Sequence, residues 1–156
     1  MRWDVGVNQI ANNRSKADFG SVTVLFNVLG GLQILPDTSV NDWSSIPEPN
    51  ELAWQFVRPV PGCAIINMGD AMVKFTNGLL RSNLHRVIPA PGDQGNILRN
   101  SLGYFVRPEH SVVLKRLNVG SDVIPPLKDG VVEEDVTSLA WVDIKGSSRK
   151  ITSEGK

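Results

Sequence analysis

Apolar positions fall in short runs between residues 21 and 117, and polar or turn-forming residues separate them. Ser21-Val-Thr-Val-Leu-Phe26 is rich in β-branched side chains and is closed by Gly30-Gly31, which predicts a strand. Leu32 to Leu35 predicts a second strand, stopped by Pro36. From Pro36 to Glu51 the chain is rich in Pro, Asp, Asn and Ser, the composition of a long loop. Ala53 to Arg58 alternates apolar and polar residues. Pro61-Gly62 predicts a turn before a strand over Cys63 to Asn67, of the apolar kind found in sheet interiors, which would bury Cys63. Gly69-Asp70 predicts another turn, with a strand over Met72 to Thr76 leading into Asn77-Gly78, a hairpin signal. Strands are expected at Leu84 to Ile88, Arg99 to Val106 and Val112 to Leu117, with a Pro- and Gly-rich loop over Pro89 to Gly95.

Beyond residue 117 the period changes. Val136, Leu139, Ala140 and Ile144 recur at helical spacing after a Thr/Ser start, which predicts a helix over Asp135 to Lys145. The charged tail from Gly146 is expected to fray. The pattern is therefore all-β with minor α: many short strands at close spacing, as in a sandwich or barrel, plus a C-terminal helix. It divides the chain into a polar, Asn-rich segment 1–17, a β domain 18–117 and an extension 118–156.

Composition narrows the classes. A chain of 156 residues suits one domain. Lys+Arg and Asp+Glu both number 16, so the chain lacks the basic footprint of a nucleic-acid binder. A single cysteine, Cys63, excludes an intrachain disulfide framework and suits a reducing compartment. No apolar run approaches the roughly 20 residues of a membrane span, and residues 1–16 lack a secretory apolar core. A cytoplasmic location is the expectation.

Four polar residues stand where chemistry could be built. Asp18 precedes the first strand of the β domain, and His85 opens a later one. Arg99 and Ser101 share one face of a strand because side chains alternate with period 2. Each has a structural alternative. Asp18 could cap a turn, His85 could be a core histidine, Arg99 could pair with Asp70 or Glu109, and Ser101 could be an ordinary strand serine. Asn67 and Asp70 read as turn and hydrogen-bond residues. Trp43, Trp54 and Trp141 read as packing residues, and Trp3 as exposed.

Five blocks together resemble a known family. They are Asp18-Phe-Gly-Ser-Val-Thr-Val-Leu-Phe26, Gly31-Leu-Gln33, Pro61-Gly-Cys-Ala-Ile-Ile-Asn-Met-Gly-Asp70, Thr76-Asn-Gly-Leu-Leu-Arg-Ser-Asn-Leu-His-Arg-Val87 and Arg99-Asn-Ser101. In order and spacing they resemble the C-terminal half of the iron(II)/2-oxoglutarate-dependent dioxygenases, in the isopenicillin-N-synthase-like branch, over roughly residues 17–117. The resemblance implies a double-stranded β-helix, or jelly roll, incomplete because the family's N-terminal flank has no counterpart here. It implies an oxidoreductase that hydroxylates or desaturates a small organic molecule while converting 2-oxoglutarate to succinate and CO₂.

Residue by residue, the resemblance places Asp18 and His85 as iron(II) ligands, and Arg99 and Ser101 as the pair that takes the distal carboxylate of 2-oxoglutarate. Two imidazoles and a carboxylate suit a non-haem iron with open positions. A guanidinium forks onto a carboxylate. The family's first histidine falls at Lys16. An ammonium is a poor ligand and repels a cation held about 4 Å away, so impaired iron binding is expected. The alternative is a jelly-roll module or pseudoenzyme that binds a carboxylate through Arg99 without catalysis. Residues 1–16 carry none of the likeness and are expected to be non-homologous or disordered.

Overall fold

The structure, a computed structural model, describes residues 5–7, 16–36, 54–117, 120 and 122–151. The Pro36–Glu51 loop expectation, apart from Pro36 itself, and the readings of Trp3 and Trp43 lie outside the described residues.

Two sheets form the body. The larger has the order β1-β7-β2-β5, from β1 (Val5–Val7), β7 (Ser101–Val106), β2 (Val22–Asn27) and β5 (Ile65–Met68). The smaller has the order β4-β3-β6, from β4 (Gln55–Phe56), β3 (Leu32–Leu35) and β6 (Leu84–Val87). All pairings are antiparallel. Sequence neighbours β2 and β3 lie in different sheets, and β7 returns to pair with β2, so the chain winds as a double-stranded β-helix. Val5–Val7, within the segment expected to lie outside the domain, adds a strand to the edge of β7.

Register assigns the faces of the larger sheet. Thr23 faces Asn67 on β5 and Phe105 on β7, and it is buried. Leu25 and Asn27 therefore point to the same inner side, opposite Gly103 and Ser101. Val24, Phe26, Ile66 and Leu102 point outward. In the smaller sheet, Leu35, Leu84 and Trp54 pack as a buried cluster, and Arg86 stacks 4.3 Å over the Trp54 ring while its Nε donates to Gln33 Oε1. His85 points to the opposite face, because neighbours on a strand alternate.

Several elements differ from the sequence pattern. Met72 to Thr76 is not a strand: α1 spans Asp70–Phe75. Asn77-Gly78 is not a hairpin but the left-handed exit of that helix, with φ 47° and 81°. Gly78 N donates to Val73 O and Asn77 N to Lys74 O, the paired bonds that close a helix end. The dipeptide signal holds for the positive φ and is silent about what precedes it. Val112 to Leu117 is not a strand: among the described residues it forms one isolated bridge, Val113 to Thr137. Leu114 in this segment is 2% exposed. Cys63 lies before β5 and is exposed, so it is not the buried residue its apolar neighbours suggest.

The helix α2 spans Ser138–Ile151, so Gly146 does not end it. Thr137 Oγ1 accepts from Ala140 N at its start. The buried face is not the expected one: Leu139 and Ile144 are exposed. Trp141 packs between the ammonium groups of Lys74 and Lys145, 4.6 and 4.7 Å from its ring. Asp70, buried, accepts from Ser82 Oγ at 2.6 Å and lies 3.6 Å from Lys145 Nζ, which ties α1 to α2.

Candidate active site

Asp18 sits in the loop before β2, and α1 fixes that loop. Asp70 N donates to Asp18 O, Ala71 N to Gly20 O and Gly69 N to Ser21 O. A Cβ on Gly69 would collide with the Gly20 carbonyl, so only glycine lets the two loops approach this closely. The Asp18 carboxylate is then held from the sheet. Thr23 Oγ1 donates to its Oδ2 at 2.8 Å, and Asn67 Nδ2 donates to the same oxygen at 3.0 Å. The other oxygen, Oδ1, faces His85 Nε2 at 3.7 Å. One oxygen is anchored and the other is presented to the imidazole.

His85 arrives from the smaller sheet, paired with Ile34 on one side. On its other side it pairs with Lys16. Lys16 N donates to His85 O at 2.8 Å, and His85 N donates to Lys16 O at 2.9 Å. Such a doubly bonded antiparallel pair puts both side chains on one face, with Cα atoms about 5.5 Å apart. Lys16 and Asp18 also lie two residues apart. Lys16 and His85 thus share a face, and the Asp18 carboxylate lies against the His85 imidazole. A cavity of about 160 Å³ opens here, lined by Lys16, Asp18, Thr23, Phe105 and Arg107 among others.

The second cluster lies on the same inner face of the larger sheet. Ser101 opposes Asn27, and Phe105 opposes Thr23, four residues further on, about 13 Å along the strand. Arg99 Nε donates to Gly30 O at 2.9 Å, and its Nη1 lies 3.3 Å from Ser101 Oγ. Its Nη2 is buried and has no hydrogen-bond partner. Burial holds the Arg99 pKa below the ordinary guanidinium value, because desolvation disfavours the charged form. A buried guanidinium edge beside a hydroxyl is a site awaiting an anion, and a planar carboxylate matches its fork. The alternative reading of Arg99, an ion pair with Asp70, does not form, since that carboxylate is engaged by Ser82 and Lys145.

The donor chemistry separates the two cofactors that the sequence resemblance implies. A dicarboxylic keto-acid fits, because the orphaned Arg99 Nη2 and Ser101 supply what one carboxylate needs. Iron(II) does not fit in full. Among the described residues no three His, Cys, Asp or Glu side chains form a metal-binding group. Asp18 and His85 are two donors, and the position beside them belongs to Lys16. His110 is exposed in the turn after β7 and joins no such group.

All four residues singled out from the sequence lie on these two clusters. Asn67 reads in the sequence as a turn and hydrogen-bond residue, and the structure gives it the hydrogen bond, to Asp18. Thr23 escapes the sequence reading, where it is part of an apolar strand. The signal for Thr23 is its lone hydroxyl in Val22-Thr23-Val24-Leu25-Phe26, since a polar residue on the inward register of a buried strand needs a partner.

Residues 11–108 match the family described as the 2OG-Fe(II) oxygenase superfamily. A 2-oxoglutarate-dependent dioxygenase of Aspergillus fumigatus is 41% identical over 131 residues, covering 80% of this chain and 34% of that protein. The 2-oxoglutarate-dependent dioxygenase iboH of Amanita muscaria is 35% identical over 102 residues, covering 65% of this chain and 45% of that protein. The chain therefore spans between a third and a half of the length of these relatives. Among solved structures, a full-length Neurospora crassa protein in complex with alpha-KG and 5-formyluracil superposes with a TM-score of 0.66 at 21% identity, over 89% of this chain and 40% of that one. JOX2 in complex with 2OG, Fe and JA superposes with a TM-score of 0.56 at 27% identity, over 75% of this chain and 30% of that one.

Proposed function

The chain belongs to the 2OG-Fe(II) oxygenase superfamily, oxidoreductases that use iron(II) and 2-oxoglutarate, and on that premise we propose that its jelly-roll unit, residues 18–117, carries a centre of the type that hydroxylates or desaturates a small organic molecule, impaired here in iron binding. The observation that carries this reading is the pairing of two clusters on one inner face. Asp18 and His85 meet 3.7 Å apart at one end, and Arg99 with Ser101 offers a carboxylate site at the other.

Each residue then has a role. Arg99 and Ser101 hold the distal carboxylate of 2-oxoglutarate, with Gly30 O fixing the guanidinium from behind. Thr23 and Asn67 fix the rotamer of Asp18. His85 and Asp18 are the two metal-facing donors, and Lys16 at the third position weakens iron binding. Among the described residues no helix is long and apolar enough to cross a membrane.

A second reading, a binding module that holds a carboxylate through Arg99 without catalysis, is favoured by the ammonium at position 16 alone. One experiment tests the part that both readings share. A ligand that binds only the folded state raises the melting temperature. With 2-oxoglutarate present the chain should melt higher, and Arg99→Gln should lose that rise while melting normally without ligand. An equal rise in Arg99→Gln would remove Arg99 from the site.

A further inference from the structure

We propose that Lys16 takes over the metal's electrostatic task, so that this chain binds 2-oxoglutarate without iron, its two carboxylates held between Lys16 at one end and Arg99 with Ser101 at the other. The inference rests on the reading of Arg99 and Ser101 given above.

Three observations converge on it. First, Lys16 is locked in place. Its backbone makes both bonds of an antiparallel pair with His85, at 2.8 and 2.9 Å, so its side chain emerges on the face that His85 and Asp18 occupy. It lines the cavity beside Asp18, Thr23 and Phe105. Second, the negative charge there is already engaged. One Asp18 oxygen accepts two hydrogen bonds, and the other faces His85. A divalent ion would enter a site with two donors in place of three, and with a lysine two residues before its one carboxylate. Third, the far end holds an unmatched guanidinium edge. Thr23 and Ser101 lie on one face, four residues apart in register, or about 13 Å of strand. Lys16 lines the cavity with Thr23 at one end of this face, and Arg99 sits on Ser101 at the other, so a ligand lying along the face would meet a cation at each end.

An ammonium can do part of what a metal does here. It supplies a positive charge and donors to the keto-acid end, where a carboxylate would otherwise sit near Asp18 uncompensated. It offers no redox chemistry. The product is a ligand-binding site whose affinity does not depend on metal.

The test uses the whole chain. Calorimetric titration of 2-oxoglutarate, glutarate and butyrate is done in excess chelator and again with manganese(II). Free manganese(II) is read separately by its electron paramagnetic resonance signal. The parent chain should bind 2-oxoglutarate and glutarate in chelator, with manganese changing neither affinity by more than about twofold. Butyrate should bind at least about tenfold more weakly, because it lacks the second carboxylate. Lys16→Gln should weaken 2-oxoglutarate about tenfold and leave butyrate unchanged. Lys16→His should deplete the manganese signal where the parent does not.

Each contrary result is distinct. Binding of 2-oxoglutarate by the parent only when manganese is present overturns the inference. So does an unchanged affinity in Lys16→Gln, which needs no metal site to fold. Manganese uptake by the parent equal to that of Lys16→His overturns it as well. Failure of every carboxylate to bind the parent, with and without manganese, instead overturns the reading of Arg99 and Ser101 and takes the inference with it.

Discussion

Asp18 owes its usefulness to neighbours that hold only half of it. Thr23 and Asn67 occupy one carboxylate oxygen and leave the other facing His85. Thr23 is 7% exposed, so Thr23→Val keeps the shape and removes a donor from a partly desolvated carboxylate. Chemical denaturation should show a loss of about 1–3 kcal/mol. No loss would mean that water replaces the hydroxyl. At this scale the sequence is informative where residue type and spacing carry a chemical demand. The sequence motif anticipates two juxtapositions that the structure shows, Asp18 beside His85 and Arg99 beside Ser101. Thr23 is not legible, because a threonine in a strand has many uses, and Asn67 is legible as a hydrogen-bond residue without its partner. Only the register that places them opposite each other shows that they share a task. Cys63 is misplaced by the sequence for a related reason: an apolar run marks a strand without stating where burial begins.

Element boundaries are legible for β2, β3 and β6, whose β-branched or apolar runs end at glycine or proline, or within a residue of the observed end. The error over Met72 to Thr76 has a physical source. Six residues give too few turns to display a helical period, and an alternating pattern of that length fits a strand as well. What decides for helix is tertiary: the first N–H groups of α1 bind the carbonyls of the Asp18 loop. That contact gives a prediction. Gly69→Ala places a Cβ against the Gly20 carbonyl, so it should cost about 1–3 kcal/mol and also disturb Asp18. Gly78→Ala should cost about 1 kcal/mol, from its φ of 81° alone, and leave ligand binding intact. Equal losses of ligand affinity in both variants would contradict the assignment of the Gly69 contact to the site. In α2 the sequence finds the helix and mistakes its face, since Trp141 docks through two ammonium groups rather than through an apolar stripe.

The molecule as a whole presents an unbalanced exterior. The outer face of the larger sheet carries Phe26, Ile66 and Leu102, exposed by 47%, 55% and 47%. These lie next to one another through the register of β5, β2 and β7. Contiguous exposed apolar area of this kind drives association. Sedimentation velocity should show self-association that rises with concentration, and the double variant Phe26→Lys, Ile66→Lys should be more monomeric. A parent chain that stays monomeric at all concentrations would contradict this. This chain covers 34% of its Aspergillus fumigatus relative.

The central claim is that a dioxygenase-type site persists here with its third metal donor replaced. The most direct measurement is the charge-transfer absorption of the chain mixed anaerobically with iron(II) and 2-oxoglutarate, beside Lys16→His under the same conditions. The band should be absent or faint in the parent and distinct in Lys16→His, with both proteins folded by circular dichroism. A strong band in the parent, or none in a folded Lys16→His that still binds 2-oxoglutarate, would contradict the account.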